Sequence, residues 1–127
     1  MYTKTLIILD WDDTLFPTSW VMNNNINMAK ASDNHKVMFS ELDNILYDFL
    51  HKCLKLGKVI IVTNASYGWV NISLKVLPYT SKILLNNIKI LSAREMFQKQ
   101  NSIHVWKRLA FEQEVVEYFM GKHDVHN

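Results

Sequence analysis

Two short aliphatic runs, each followed by polar side chains, constrain the fold more than any other feature of this sequence. Residues 6–9 read LIIL and lead into Asp10, and residues 59–62 read VIIV and lead into Thr63 and Asn64. Runs of four apolar residues without polar alternation are too short for helices and are typical of strands buried on both faces. We therefore predict two strands of a parallel sheet that helices cover on both sides.

The segment between these strands has a helical pattern. Apolar residues from position 42 to position 54 recur at spacings of three and four. Ser40 is a suitable N-cap, Asp43 then falls at the third helical position, and Gly57 ends the pattern. We therefore predict a helix that begins after Ser40 and ends at Gly57.

The rest of the chain continues the alternation of strands and helices. We predict, in chain order, an irregular loop over 16–39 with a short helical piece over 21–31, a helix over 67–77 that ends before Pro78, a strand over 88–91 and a helix over 103–120 that ends at Gly121. This order predicts one α/β domain over 1–127, with three layers and a parallel sheet. Ligands of such sheets bind at the carboxyl ends of the strands.

Composition excludes several classes of protein. With 127 residues, 49% hydrophobic and 20% charged, the chain has the composition of a globular domain rather than of a disordered or coiled-coil protein. The net charge of +2 is spread along the chain, so we expect neither nucleic acid nor a membrane surface as a partner. Cys53 is the one cysteine and no apolar run is long enough to cross a membrane, so we expect a soluble cytoplasmic protein.

Three carboxylates, Asp10, Asp12 and Asp13, follow the first strand. Carboxylates beside backbone N–H groups at a strand tip suit Mg²⁺ and a phosphate. Asp10 could then attack phosphorus, and Asp12 could exchange a proton with the leaving oxygen. The alternative is an acidic turn that caps the next segment. The second strand favours phosphate chemistry, because Thr63 offers a hydroxyl and Asn64 a backbone N–H at the same edge of the sheet.

These segments resemble a known superfamily. DWDDTL at 10–15 and IIVTN at 60–64 are similar to the first and second motifs of the haloacid dehalogenase-like superfamily. IKILSARE at 88–95 and WKRLAFEQEV at 106–115 extend the resemblance, to uncharacterised eukaryotic and protist members without a large cap, over nearly the whole chain. Most members of this superfamily are magnesium-dependent phosphatases that act through an aspartyl-phosphate. The resemblance therefore implies a Rossmann-like core and a hydrolase of phosphate esters.

The resemblance also implies roles for individual residues. Asp10 matches the nucleophile and a magnesium ligand, and Asp12 matches the general acid/base whose backbone carbonyl also meets magnesium. Lys107 matches the third-motif lysine, whose ammonium offsets the charge of nucleophile and phosphate, although a solvated helix lysine is the alternative. The candidate substrate-binding residues are Thr14, Thr63 and Asn64. Asp13 stands where many members have glycine.

The sequence departs from the superfamily after Lys107. A further strand with an acidic motif is expected there, and only Asp124 in the segment GKHDVHN remains. We therefore predict a core truncated before its fourth motif, with a weak magnesium site. Asp10, Asp12 and Asp13 are then expected to raise one another's pKa, with Lys107 as the counter-charge. His123 and His126 are interpreted as solvated tail residues.

Three functional readings stay open at this point. The first is a phosphatase-type domain, for which an open, capless site favours a phosphorylated protein or another large phosphoester. The second is a non-catalytic phosphate-binding or protein-interaction remnant, and the third is a split or truncated chain. The resemblance implies a neighbouring strand that is missing here, so the strand over 6–9 would lie at a bare edge of the sheet. That edge would be open to self-association, to cover by the Asn-rich loop at 23–27 or the tail, or to a partner's strand.

The four tryptophans receive two interpretations. Trp69 and Trp106 fall on apolar helix faces and are expected in the core. Trp11 and Trp20 flank the acidic loop, and they suit the core and the mouth of a site equally well.

Overall fold

The computed structural model of the chain describes residues 5–97, 99 and 103–121, without the side chains of residues 103, 104 and 121. Its elements in chain order are β1 (Leu6–Asp10), α1 (Thr18–Asn23), α2 (Asp33–Leu56), β2 (Lys58–Thr63), α3 (Tyr67–Leu74), α4 (Pro78–Asn87), β3 (Lys89–Ser92), α5 (Ala93–Phe97) and α6 (Ile103–Val116). A π-helical turn, Glu117–Gly121, continues α6. None of these helices has the length and apolar character needed to cross a membrane.

The three strands form one parallel sheet in the order β1-β2-β3. Asp10 at the end of β1 pairs with Val62, and Thr63 at the end of β2 pairs with Ser92. β2 lies in the middle and is buried from Val59 onward, whereas every residue of β1 is only partly buried. The expected α/β architecture with a parallel sheet is therefore confirmed, and β1 lies at an edge as expected.

Helices pack on both faces of the sheet and create two apolar clusters. The larger cluster joins one face of the sheet to α2, α3 and α4, and its members from these elements include Phe39, Leu46, Leu50, Val59, Ile61, Val70, Leu74 and Leu84. The smaller cluster joins the other face to α5 and α6 through Ile60, Val62, Leu91, Ala93 and Ala110. The predicted three layers are thus present, with most of the buried volume on the α2 side.

The start of α2 differs from the sequence-based prediction. Ser32, not Ser40, caps the helix, since its Oγ accepts the backbone N–H of His35 at 3.2 Å. Ser40 lies exposed within the helix. The helix begins before Ser40 because the turns that precede it also bury an apolar residue, Phe39, against the core. The end of the helix at Gly57 is as predicted. A Cβ there would lie 2.3 Å from the carbonyl oxygen of Thr5, so glycine allows the close approach of the two chain segments.

Asp43 also has a different role from the predicted one. Its side chain is buried in the middle of α2, and its carboxylate accepts the backbone N–H groups of Tyr79 at 3.0 Å and Thr80 at 2.8 Å. These are N–H groups of the first turn of α4, for which the preceding Leu77 provides no side-chain cap. A carboxylate of α2 therefore caps α4.

Pro78 accounts for a further difference. The predicted helix over 67–77 ends at Leu74, and Pro78 then begins α4, which the sequence analysis missed along with the short α5. Proline is well tolerated in the first turn of a helix, where its missing N–H would lack a partner anyway. The third strand is shifted by one residue to Lys89–Ser92.

Candidate functional site

A tight turn after β1 determines the geometry of the site. The carbonyl oxygen of Trp11 accepts the backbone N–H groups of Leu15 at 3.0 Å and Phe16 at 2.9 Å. Asp13 adopts a left-handed conformation with φ of 58°. This turn holds Asp12 close to the carboxyl ends of β1 and β2, as the sequence analysis expected for its site.

Lys107 of α6 lies against Asp10. Its Nζ is 2.5 Å from Oδ2 of Asp10, and about 30% of each side chain is exposed. The other carboxylate oxygen, Oδ1, is buried and has no hydrogen-bond partner among the described residues. The structure thus brings together the two residues that were predicted as nucleophile and counter-charge, and it leaves one oxygen of Asp10 unsatisfied.

The carboxylate of Asp12 is bound by three donors. The hydroxyl of Thr63 donates to Oδ2 at 2.6 Å, while the hydroxyl of Thr18 at 2.6 Å and the indole N–H of Trp69 at 3.1 Å donate to Oδ1. Thr63 Oγ1 in turn accepts the backbone N–H of Ala65 at 3.0 Å. The predicted acid/base and the predicted phosphate-binding hydroxyl are therefore adjacent, with the hydroxyl proton of Thr63 engaged by Asp12.

Asp13 points away from this pair. Its carboxylate accepts the hydroxyl of Ser19 at 2.5 Å and the backbone N–H of Ser19 at 2.8 Å. These two hydrogen bonds hold the pKa of Asp13 below its ordinary value of 3.8, and the bond from the Ser19 hydroxyl has the larger effect. The expectation that crowding with its neighbours raises the pKa of Asp13 is wrong, because the left-handed turn directs this side chain to α1.

The remaining predicted substrate-binding residues are placed differently from each other. Thr14 is exposed in the turn, and its backbone N–H faces the carbonyl oxygen of Trp11 at 3.4 Å. Asn64 lines a surface cleft beside Asp12, and within the described residues its Oδ1 is buried without a hydrogen-bond partner. Of these two residues, only Asn64 reaches the cleft.

The cleft has a volume of about 360 Å³. Its wall includes Asp12, Asn64, Ser66, Thr18, Trp69 and Arg94. The sequence analysis missed Thr18 and Arg94, and it placed Trp69 in the core. Trp69 belongs both to the core and to the cleft. Its ring packs edge-on to that of Phe16, with ring centroids 6.1 Å apart, while its indole N–H donates to Asp12. Its place in the first turn after the second strand was the available signal.

The structure distinguishes the other tryptophans. Trp11 is fully buried in the larger cluster, and its indole N–H donates to Oγ of Ser73 at 3.0 Å. Trp20 is partly buried against the same cluster and packs edge-on to His35. Trp106 packs against the smaller cluster, as predicted. Neither Trp11 nor Trp20 lines the cleft beside Asp12.

No three His, Cys, Asp or Glu side chains come close enough to form a metal-binding group in residues 5–97, 99 and 103–121. Asp124, His123 and His126, which the sequence analysis considered, lie outside the described residues. Cys53 is buried in the larger cluster, and burial raises the pKa of its thiol.

Comparisons of the chain with protein-family models, with curated proteins and with solved structures gave no match.

Proposed function

We propose that this chain is a magnesium-dependent phosphatase-type domain with a haloacid dehalogenase-like core, which acts through an aspartyl-phosphate on Asp10. One observation carries the proposal. The Asp10–Lys107 ion pair and the Asp12–Thr63 hydrogen bond lie at the carboxyl ends of two adjacent parallel strands. This is where α/β sheets bind ligands, and the four side chains are those that phosphoryl transfer to a carboxylate requires.

In the proposed reaction, a carboxylate oxygen of Asp10 attacks phosphorus and the bond from phosphorus to the ester oxygen breaks. Asp12, which must enter this step protonated, gives its proton to the leaving alcohol and becomes a carboxylate. A water molecule then attacks the aspartyl-phosphate, Asp12 accepts a proton from it, and Asp10 is released together with inorganic phosphate. Lys107 offsets the negative charge of Asp10 and phosphate throughout.

Magnesium fits the donor set at Asp10. Oδ1 of Asp10 is a buried carboxylate oxygen that no group in the described part of the chain binds, and carboxylate oxygens are ligands that Mg²⁺ prefers. The residues that would hold the ion are Asp10 and the backbone carbonyl of Asp12. When bound, Mg²⁺ would neutralise negative charge and orient the phosphate for attack.

The proposed substrate is a phosphorylated protein or another large phosphoester. Trp69 and Arg94 line the cleft beside Asp12 and supply an aromatic surface and a cation for groups next to the phosphate. We further propose action in the cytoplasm, because Cys53 is a free, buried thiol.

The test is hydrolysis of an aryl phosphate with Mg²⁺ by the wild type, Asp10→Asn and Asp13→Asn. Asp13 is the matched control, since it is a neighbouring aspartate whose side chain binds Ser19 instead. We expect Asp10→Asn to lose at least about a thousandfold in rate and Asp13→Asn to stay within about twofold. A hydrolysing wild type that Asp10→Asn leaves unchanged would contradict the assignment of the nucleophile.

A non-catalytic phosphate-binding domain is the second candidate. The observation that favours it is the saturation of Asp12, whose two carboxylate oxygens both accept hydrogen bonds from protein donors. This candidate predicts no turnover, together with stabilisation of the fold by vanadate or phosphate that Lys107→Met abolishes. Turnover that depends on Asp10 excludes it.

A further inference from the structure

Two buried side-chain oxygens lack a hydrogen-bond partner within the residues that the structure describes. They are Oδ1 of Asp10 and Oδ1 of Asn64. Both atoms are acceptors, so neither satisfies the other. A buried acceptor without a donor is destabilising unless a cation, a water molecule or a ligand binds to it. The pair is therefore the part of this site that contacts within the protein do not explain.

Both residues lie at the carboxyl edge of the sheet, at the ends of adjacent strands. Asp10 pairs with Val62, and Val62 packs with Ile8 in the smaller cluster, on the α6 side of the sheet. Side chains of a strand alternate between faces, so Asp10 follows Ile8 to that side, where Lys107 contacts it. Asn64 directly follows β2, two residues beyond Val62, so it stands at the same carboxyl edge of the sheet as Asp10 and directly after the adjacent strand.

The two oxygens have the chemistry of ligands for a hard divalent cation. A carboxylate oxygen and an amide carbonyl oxygen are both donors that Mg²⁺ accepts, whereas neither has a proton to offer a phosphate. Lys107 engages the other oxygen of Asp10, Oδ2, so the ion pair does not compete for Oδ1.

We propose that the side-chain carbonyl oxygen of Asn64 is a ligand of the magnesium ion that Asp10 binds, in place of a second carboxylate. This inference rests on the proposed function, because it concerns the same ion. A neutral amide attracts Mg²⁺ less than a carboxylate does, so the site has lower affinity than one with two acidic ligands.

The experiment measures metal binding rather than turnover. Binding of Mn²⁺ to the full chain is followed by the electron paramagnetic resonance signal of the free ion, and melting temperatures are recorded with and without millimolar Mg²⁺. The variants are Asn64→Leu, Asn64→Asp and Asp10→Asn. Asn71→Leu is the matched control, because Asn71 is exposed on α3.

We expect Asn64→Leu to weaken Mn²⁺ binding at least about tenfold while the melting temperature without metal stays constant or rises. Asn64→Asp should lower the melting temperature without metal, because it adds a carboxylate beside Asp10, and should tighten Mn²⁺ binding at least about tenfold. Asn71→Leu should change neither quantity.

Wild-type Mn²⁺ affinity in Asn64→Leu, with binding lost in Asp10→Asn, would overturn the role of Asn64 and leave the proposed function intact. A lower melting temperature of Asn64→Leu without metal, at unchanged affinity, would also overturn it, since the amide N–H₂ of Asn64 would then be a donor to Asp10. Equal affinity in Asp10→Asn and wild type would refute the magnesium site of the proposed function as well.

Discussion

β1 and β2 have nearly the same sequence character and quite different surroundings. Each consists of aliphatic residues followed by a polar residue at its carboxyl end, yet β2 is in the middle of the sheet and β1 is at its edge. Thr63 at the end of β2 is fully buried, and its hydroxyl both donates and accepts a hydrogen bond. Asp10 at the end of β1 is partly exposed and retains an unpartnered oxygen.

The difference between the two strand ends follows from their positions in the sheet. A central strand is held by neighbours on both sides, so its terminal residue is suited to positioning other groups. An edge strand has fewer neighbours, so its terminal residue can keep an oxygen for a ligand. The predictions that follow test how far this contrast extends, and they begin with the largest expected effect.

Amide hydrogen exchange should separate the two strands most clearly. The β2 amides should exchange only through global unfolding. The β1 amides that point away from β2 have no strand partner in the described part of the chain, so they should exchange about a thousandfold faster or more. Sedimentation velocity on the same sample reports whether a second copy pairs at this edge. Slow exchange along β1 in a monomeric sample would contradict an open edge.

Truncation of paired isoleucines should give the next largest effect. Ile8 and Ile60 face each other across β1 and β2, but Ile60 is fully buried and Ile8 only partly. We expect Ile60→Ala to lower the free energy of unfolding by about 3–4 kcal/mol and Ile8→Ala by about 1–2 kcal/mol, as measured in urea. Equal losses would show that the edge strand is as tightly packed as the central one.

Substitution of the strand ends should give a smaller contrast. Thr63→Val removes a buried donor to Asp12 and should cost about 1–2 kcal/mol, whereas Thr63→Ser keeps the hydroxyl. Asp10→Asn breaks an ion pair whose two side chains are each about 30% exposed, so without metal it should change stability by less than about 1 kcal/mol. Urea denaturation of the three variants measures both effects, and a larger loss in Asp10→Asn would reverse the comparison.

The pH dependence of Asp13 should give the smallest effect. Its pKa in the folded protein is below the ordinary 3.8, so its stabilising contribution is complete above that pH and is lost as the pH falls through the folded pKa. The difference in melting temperature between wild type and Asp13→Asn should therefore shrink in acid. Ser19→Ala removes the hydroxyl partner and should reduce the same difference. A difference in melting temperature that grows in acid would contradict a lowered pKa of Asp13.

The strands and the last helix could be predicted because their signals are local. An aliphatic run of four residues indicates a buried strand, and spacings of three and four indicate a helix, whatever the rest of the chain does. The same reasoning predicted that Asp12 and Thr63 lie at the same edge of the sheet, because parallel strands end at one edge. Where α2 begins could not be predicted, since Ser32 and Ser40 are both good caps and the choice depends on how Phe39 packs.

The site's remaining contacts depend on tertiary structure. Thr18 contacts Asp12 because the tight turn after β1 brings α1 back to that residue. Trp69 contacts Asp12 because α3 begins shortly after Thr63. Likewise, Asp13 looks equivalent to its neighbours in sequence, and only its left-handed backbone separates it from them. Such orientations are not encoded by residue type or spacing.

The carboxylate of Asp43 has a consequence for the order in which the chain folds. It binds backbone N–H groups at the start of α4 that lie 36 and 37 residues further along the chain, beyond all of β2 and α3. The first turn of α4 is therefore stabilised only after that intervening chain has come together, so α4 should be absent from the early folding nucleus and gain its structure late. Cleavage of the backbone in the loop before Pro78 would separate α4 from its capping carboxylate in sequence but not in space, so two fragments could still reassemble around this one acceptor.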